Sequence, residues 1–129
     1  NIINTPGGNV KHAMKKSDVG FNGFGEAYFS SINKDIIKGW KKHTKMTMNL
    51  VVPCGKIEFV IHDEHSGNFF NTTLSKNNYQ RLTIKPHLWV AFKGKNEKNI
   101  LLNLASIEHE SDITVDINLK DIDYKWSSE

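Results

Sequence analysis

Several residue types are scarce, and each scarcity excludes something. A single cysteine, Cys54, rules out an intramolecular disulfide framework and any zinc cluster built on cysteines. Arginine occurs once, at Arg81, and the other 16 of the 17 basic residues are lysines. Base and phosphate readers favour the arginine fork, so the net charge of +3 reads as a solvated lysine face and no nucleic-acid partner is expected. No apolar run approaches the length that crosses a bilayer; Leu50-Val51-Val52 and Ile100-Leu101-Leu102 are among the longest. There is also no basic start with an apolar stretch behind it, as a secretory signal has, so a reducing cytoplasm and no membrane partner are expected. The Gly20-Phe21-Asn22-Gly23-Phe24-Gly25 run lacks the spacing and following helix of a dinucleotide loop, and neither a phosphate-cradling Gly-Lys-Ser/Thr loop nor a serine elbow is present.

What is abundant is β-branched. Isoleucine, valine and threonine supply 27 of the 129 residues against four alanines, which favours strand over helix. Turn residues recur about every ten positions, the punctuation of a sandwich or barrel in one domain. Strands are predicted over residues 27–32, 36–43, 49–52, 56–63, 80–84, 89–92, 99–105 and 113–119, with short helical pieces at 11–16 and 75–79. Residues 49–52 and 56–63 flank Pro53-Cys54-Gly55 and read as a hairpin. In the last predicted strand Ile113, Val115, Ile117 and Leu119 alternate with polar residues, which predicts an apolar inner face.

The segment Lys38-Gly39-Trp40-Lys41-Lys42-His43 carries the densest chemistry. Period two puts Lys41 and His43 on one face, with Trp40 and Lys42 on the other. A bulge at Gly39 would turn Lys38 towards the same pocket. On the strand after Gly55, Asp63 follows Ile57, Phe59 and Ile61 in an inward row, so it reads either as a carboxylate meeting a lysine or histidine or as the start of a turn. Six histidines are present, but the His-x-His spacing of a barrel metal site is broken by Lys41, so no metal is expected. Tyr28, Trp40, Trp89 and Phe92 fall on or beside strands, where a ring can stack on a base or sugar or simply fill a core.

In order, Phe24-Gly25-Glu26-Ala27-Tyr28-Phe29-Ser30, Ile37-Lys38-Gly39-Trp40-Lys41-Lys42-His43, Met46-Thr47-Met48-Asn49-Leu50, Leu82-Thr83-Ile84-Lys85-Pro86 and Trp126 resemble the motifs of the dTDP-4-dehydrorhamnose 3,5-epimerase family of cupins. The likeness spans residues 24–126. It implies an all-β cupin jelly roll and a cofactor-independent epimerase or isomerase of a nucleotide-linked 4-keto-6-deoxy sugar. It further implies a homodimer serving surface-polysaccharide synthesis. A sugar-nucleotide 3,4-ketoisomerase or a binding cupin without turnover are the alternatives. By the same resemblance Lys41 takes the position of the catalytic base, with His43 and Asp63 beside it. Lys38, Tyr28, Asn49, Trp40 and Trp89 are then the expected contacts of a dTDP-sugar. An ungapped comparison sets Leu102 at the family's catalytic tyrosine, His87 where a glycine follows the proline, and nothing opposite the later aspartate that supports the histidine.

Overall fold

The computed structural model describes residues 2–126. A small hairpin of β1 (Ile2–Thr5) and β2 (Gly8–Lys11) precedes the main body, and two antiparallel sheets follow. The strands of that body are β3 (Glu26–Asn33), β4 (Ile37–His43), β5 (Met48–Cys54), β6 (Lys56–His62), β7 (Phe69–Ser75), β8 (Leu82–Ile84), β9 (Trp89–Gly94), β10 (Lys98–Ala105) and β11 (Thr114–Asp116). One sheet runs β3-β10-β5-β8 and the other β11-β4-β9-β6-β7. Chain neighbours such as β3 and β4 therefore lie in different sheets, as in a jelly roll. The all-β expectation holds, and no helix among the described residues is long and apolar enough to cross a membrane.

Alternation along the strands builds the core. Ile57, Phe59 and Ile61 of β6 face the opposing sheet, where they meet Leu50 and Val52 of β5 and Leu101 of β10. Phe59 and Ile57 are fully buried, each worth about 2 kcal/mol of transfer free energy. A second cluster lies on the outer face of the five-stranded sheet. There Trp40, Val60, Trp89 and Ala91 are covered by Ile117, Ile122, Tyr124 and Trp126 from the C-terminal segment.

Three expectations change. The strands on either side of Gly55 do not pair as a hairpin: β5 pairs with β10 and β8, and β6 with β7 and β9, so Gly55 carries the chain from one sheet to the other. Residues 11–16 and 75–79 hold no helix; the helical pieces are single 3₁₀ turns at His109–Ser111 and Leu119–Asp121. The last strand is also shorter than predicted and faces the other way. Thr114 and Asp116 pair with His43 and Lys41, while Ile113 and Val115 are exposed. The apolar alternation misleads there because β11 is an edge strand whose inner side borders a cavity instead of packed hydrocarbon.

Gly55 sits at a φ of 90°, and a Cβ there would lie 2.3 Å from the Lys98 carbonyl oxygen and 2.5 Å from Asn99 Oδ1. The nearer of these contacts is with backbone, which cannot swing aside. Gly55→Ala is expected to cost about 2 kcal/mol or more in urea denaturation, with the m-value unchanged.

Candidate active site

Between the two sheets lies a cavity of about 410 Å³, in the range of small-ligand sites. Its apolar wall is built by Met48, Leu50, Val90, Phe92 and Leu101, and its polar groups are Tyr28, Ser30, Lys38, Lys41, His43, Asn103 and Asp116. The segment 38–43 delivers three of these from one strand. Lys41 and His43 point in by strand parity, and the register between β4 and β9 shifts between Lys38 and Lys41, which brings Lys38 to the same cavity. Gly39 is needed at that irregularity: its φ is 147°, and a Cβ would stand 2.5 Å from the Ala91 Cβ.

His43 is nearly buried, and its Nδ1 lies 2.5 Å from Oδ2 of Asp112. Asp112, whose side chain is fully buried, also accepts hydrogen bonds from the Lys45 N–H (2.9 Å) and the Met46 N–H (3.2 Å) through Oδ1. Burial pushes the Asp112 carboxyl upward, but the hydrogen bond from His43, those from the two backbone amides and the imidazole's charge outweigh it and hold the group below the usual carboxylate range. A carboxylate on Nδ1 fixes the ring's orientation and leaves Nε2 as the nitrogen able to take a proton.

Around this pair the rim is charged. Lys41 Nζ stands 3.6 Å from Oδ1 of Asp116, its cross-strand neighbour, and both side chains are partly exposed. Lys38 Nζ donates to the Ser31 carbonyl (3.0 Å). On the opposite sheet Tyr28 and Asn103 are paired across β3 and β10, and the Asn103 Nδ2 donates to the phenol oxygen at 2.9 Å.

Four of the expected site residues stand elsewhere. Asp63 closes the β6–β7 turn: its carboxylate accepts the His65 N–H (3.0 Å), which holds its pKa below the usual range, and its own N–H donates to Asn68. Trp40 and Trp89 face outward, because period two separates them from Lys41 and Val90. The Trp40 indole donates to the Leu119 carbonyl, and Trp89 packs under Lys42 and hydrogen-bonds Glu64. Asn49 has the parity opposite to Met48 and Leu50. Its side chain donates to the Gly20 carbonyl and accepts from Thr83 and Arg81, fastening a loop.

Three residues of the site were not legible from the sequence. Asp112 supplies the support for the histidine that the ungapped comparison left without a counterpart, from a loop 69 residues away. Asn103 and Leu101 line the cavity from β10, whereas Leu102 does not. His87 does adopt a φ of 73°, the backbone setting of the glycine it replaces in the resemblance, and its N–H donates to the His43 carbonyl (2.7 Å). Among the described residues, no three histidine, cysteine, aspartate or glutamate side chains gather as a metal site requires.

A two-sheet jelly roll with a polar-rimmed cup between its sheets is a cupin-like fold. No family model matches the chain, and neither does any curated protein sequence. Solved structures do match. A dTDP sugar isomerase from Desulfovibrio desulfuricans G20 is 28% identical with a TM-score of 0.88, over 100% of this chain and 88% of that one. A sugar 3,4-ketoisomerase from Thermoanaerobacterium thermosaccharolyticum, in complex with TDP, is 23% identical with a TM-score of 0.75, over 89% and 82%. A dTDP-4-dehydrorhamnose 3,5-epimerase from Sulfolobus tokodaii is 19% identical with a TM-score of 0.81, over 95% and 76%. The chain has the fold shared by dTDP-sugar isomerases and dTDP-4-dehydrorhamnose 3,5-epimerases.

The carboxyl of Asp112 is held low in the folded protein, so it stabilises the fold above the unfolded-state value near pH 4 and loses that contribution as the pH falls further. Asp112→Asn is expected to lower stability at pH 7 by about 1–3 kcal/mol. Its urea midpoint should also fall less steeply than that of the wild type below about pH 4.

Proposed function

We propose that this protein is a cofactor-independent epimerase or isomerase of a nucleotide-linked 4-keto-6-deoxy sugar, dTDP the favoured nucleotide. The observation that carries the reading is the buried His43–Asp112 pair on one wall of a sugar-sized cup that has a phenol, Tyr28, on the facing wall. The solved structures of like fold support it, since they are dTDP-sugar enzymes and one holds TDP.

In this reading His43 Nε2 removes the proton from the carbon beside the ketone. The C–H electron pair becomes the new C=C bond, and the carbonyl π pair moves to oxygen as an enolate. Asp112 stabilises the imidazolium so formed. Tyr28, on the other wall, returns a proton, and delivery to the opposite face of the same carbon inverts it. If the proton returns instead to the neighbouring carbon while the hydroxyl proton crosses to the old ketone oxygen, the outcome is a 3,4-ketoisomerisation. A single histidine in the cup, with Lys41 in place of a second, suits either course.

Lys41 faces Asp116 as an ion pair at the rim, which suits it to meet the diphosphate or steady enolate charge, with Lys38 beside it. The base is thereby assigned to His43 and the phosphate contacts to the two lysines, while Asp63, Asn49, Trp40 and Trp89 serve the scaffold. A homodimer is part of the proposal. Phe29, 70% exposed beside Leu102 on the outer face of the four-stranded sheet, supports self-association through that face. A cytoplasmic place in polysaccharide synthesis completes it and suits the lone thiol of Cys54.

The test is deuterium uptake from D₂O into TDP-4-keto-6-deoxyglucose, followed by NMR, which also tells epimer from ketoisomer. Exchange by the wild type is expected, with a loss of about a hundredfold or more in His43→Asn and TDP binding retained. Saturable TDP-sugar binding with no exchange would instead make this a binding cupin.

A further inference from the structure

Asn103 is a polar residue where the fold alone wants none. Its neighbours on the inner side of β10 are Leu101 and Ala105, and it is 1% exposed. The amide nitrogen meets two acceptors, the Tyr28 hydroxyl oxygen at 2.9 Å and the Met46 thioether sulfur at 3.9 Å. The thioether sulfur has no proton to give, so the contact with Met46 is the one that assigns the nitrogen to this side of the amide. Its carbonyl oxygen Oδ1 is buried with no hydrogen-bond partner, a destabilising arrangement that an aliphatic side chain would avoid. The residue is therefore better explained by what its NH₂ group does than by packing.

We propose that Asn103 is a positioning residue that holds Tyr28 as a proton donor to the ligand in the cup. This rests on the reading of the cup as a keto-sugar site. The phenol oxygen accepts from Asn103, and among the described residues no hydrogen bond takes the phenol's own proton. Tyr28 lines the cavity, so that proton is left for a ligand. When the O–H bond breaks and its proton passes to the sugar, the electron pair stays on the phenol oxygen. The Asn103 N–H already points at that atom and stabilises the charge without reorganisation. The cross-strand pairing of residues 28 and 103 fixes the contact through the backbone, which a loop residue could not do as firmly.

The experiment is a double-mutant cycle on the full chain with TDP-4-keto-6-deoxyglucose as probe, reading kcat, KM and deuterium uptake for wild type, Asn103→Leu, Tyr28→Phe and the double variant. Asn103→Leu keeps the branching at Cγ and removes the amide, and it should lower kcat about tenfold while leaving KM within about twofold. The double variant should be no slower than Tyr28→Phe alone, because Asn103 acts only through the phenol. Wild-type kcat in Asn103→Leu, or losses that multiply in the double variant, would overturn the proposal and leave the functional reading standing. A wild type that neither exchanges nor binds the probe would overturn both. Should the leucine variant fail to fold, Asn103→Ala in the same cycle decides by the same criteria.

Discussion

The fully buried carboxylate of Asp112 organises the site. It binds His43 Nδ1 with one oxygen and the backbone amides of Lys45 and Met46 with the other. A single side chain thus fixes the orientation of the imidazole and closes the turn that leads from β4 towards β5. A buried charge of this kind is tolerable only when every lone pair in use has a partner. Here the partners come from the last residue of β4 and the turn that follows it, so anchoring the loop after β10 and aiming the histidine are the same event.

The remaining chemistry follows from how the two sheets divide their faces. In the five-stranded sheet the inner side of β4 gives Lys41 and His43 to the cup, while the outer side gives Trp40 to an apolar cluster roofed by the C-terminal segment. The bulge at Gly39 breaks this alternation once, and that break recruits Lys38. The four-stranded sheet supplies the facing wall, where the Tyr28–Asn103 pair stands. Histidine, cations and phenol are therefore set on rigid strands around one volume, and on the proposed reading the opposed placement of histidine and phenol is what proton removal and return on a ring carbon requires.

Much of this was readable in the residues. The parity of 38–43 and the bulge at Gly39 follow from period two and one glycine, both local rules. The abundance of β-branched residues marked the fold class. What failed was non-local. Gly55 looks like a hairpin turn because sequence cannot say which sheet the next strand joins. The alternation of 113–119 suggests a buried face because sequence cannot distinguish a core from a cavity wall. Trp40 and Trp89 seemed fit for stacking on a ligand, yet they fill the outer cluster, a face no local pattern distinguishes from the inner one. Asp112 sits 69 residues from His43 in an unpatterned loop, so only the folded chain reveals the pair.

A crystal structure of the protein with TDP-4-keto-6-deoxyglucose bound tests the central claim most directly. The account predicts the hexose between the His43 ring and the Tyr28 phenol, with Nε2 within hydrogen-bond reach of the carbon-bound proton's side and the diphosphate against Lys38 and Lys41. A sugar lodged outside the cup, or bound within it with His43 touching no part of the ring, would contradict it.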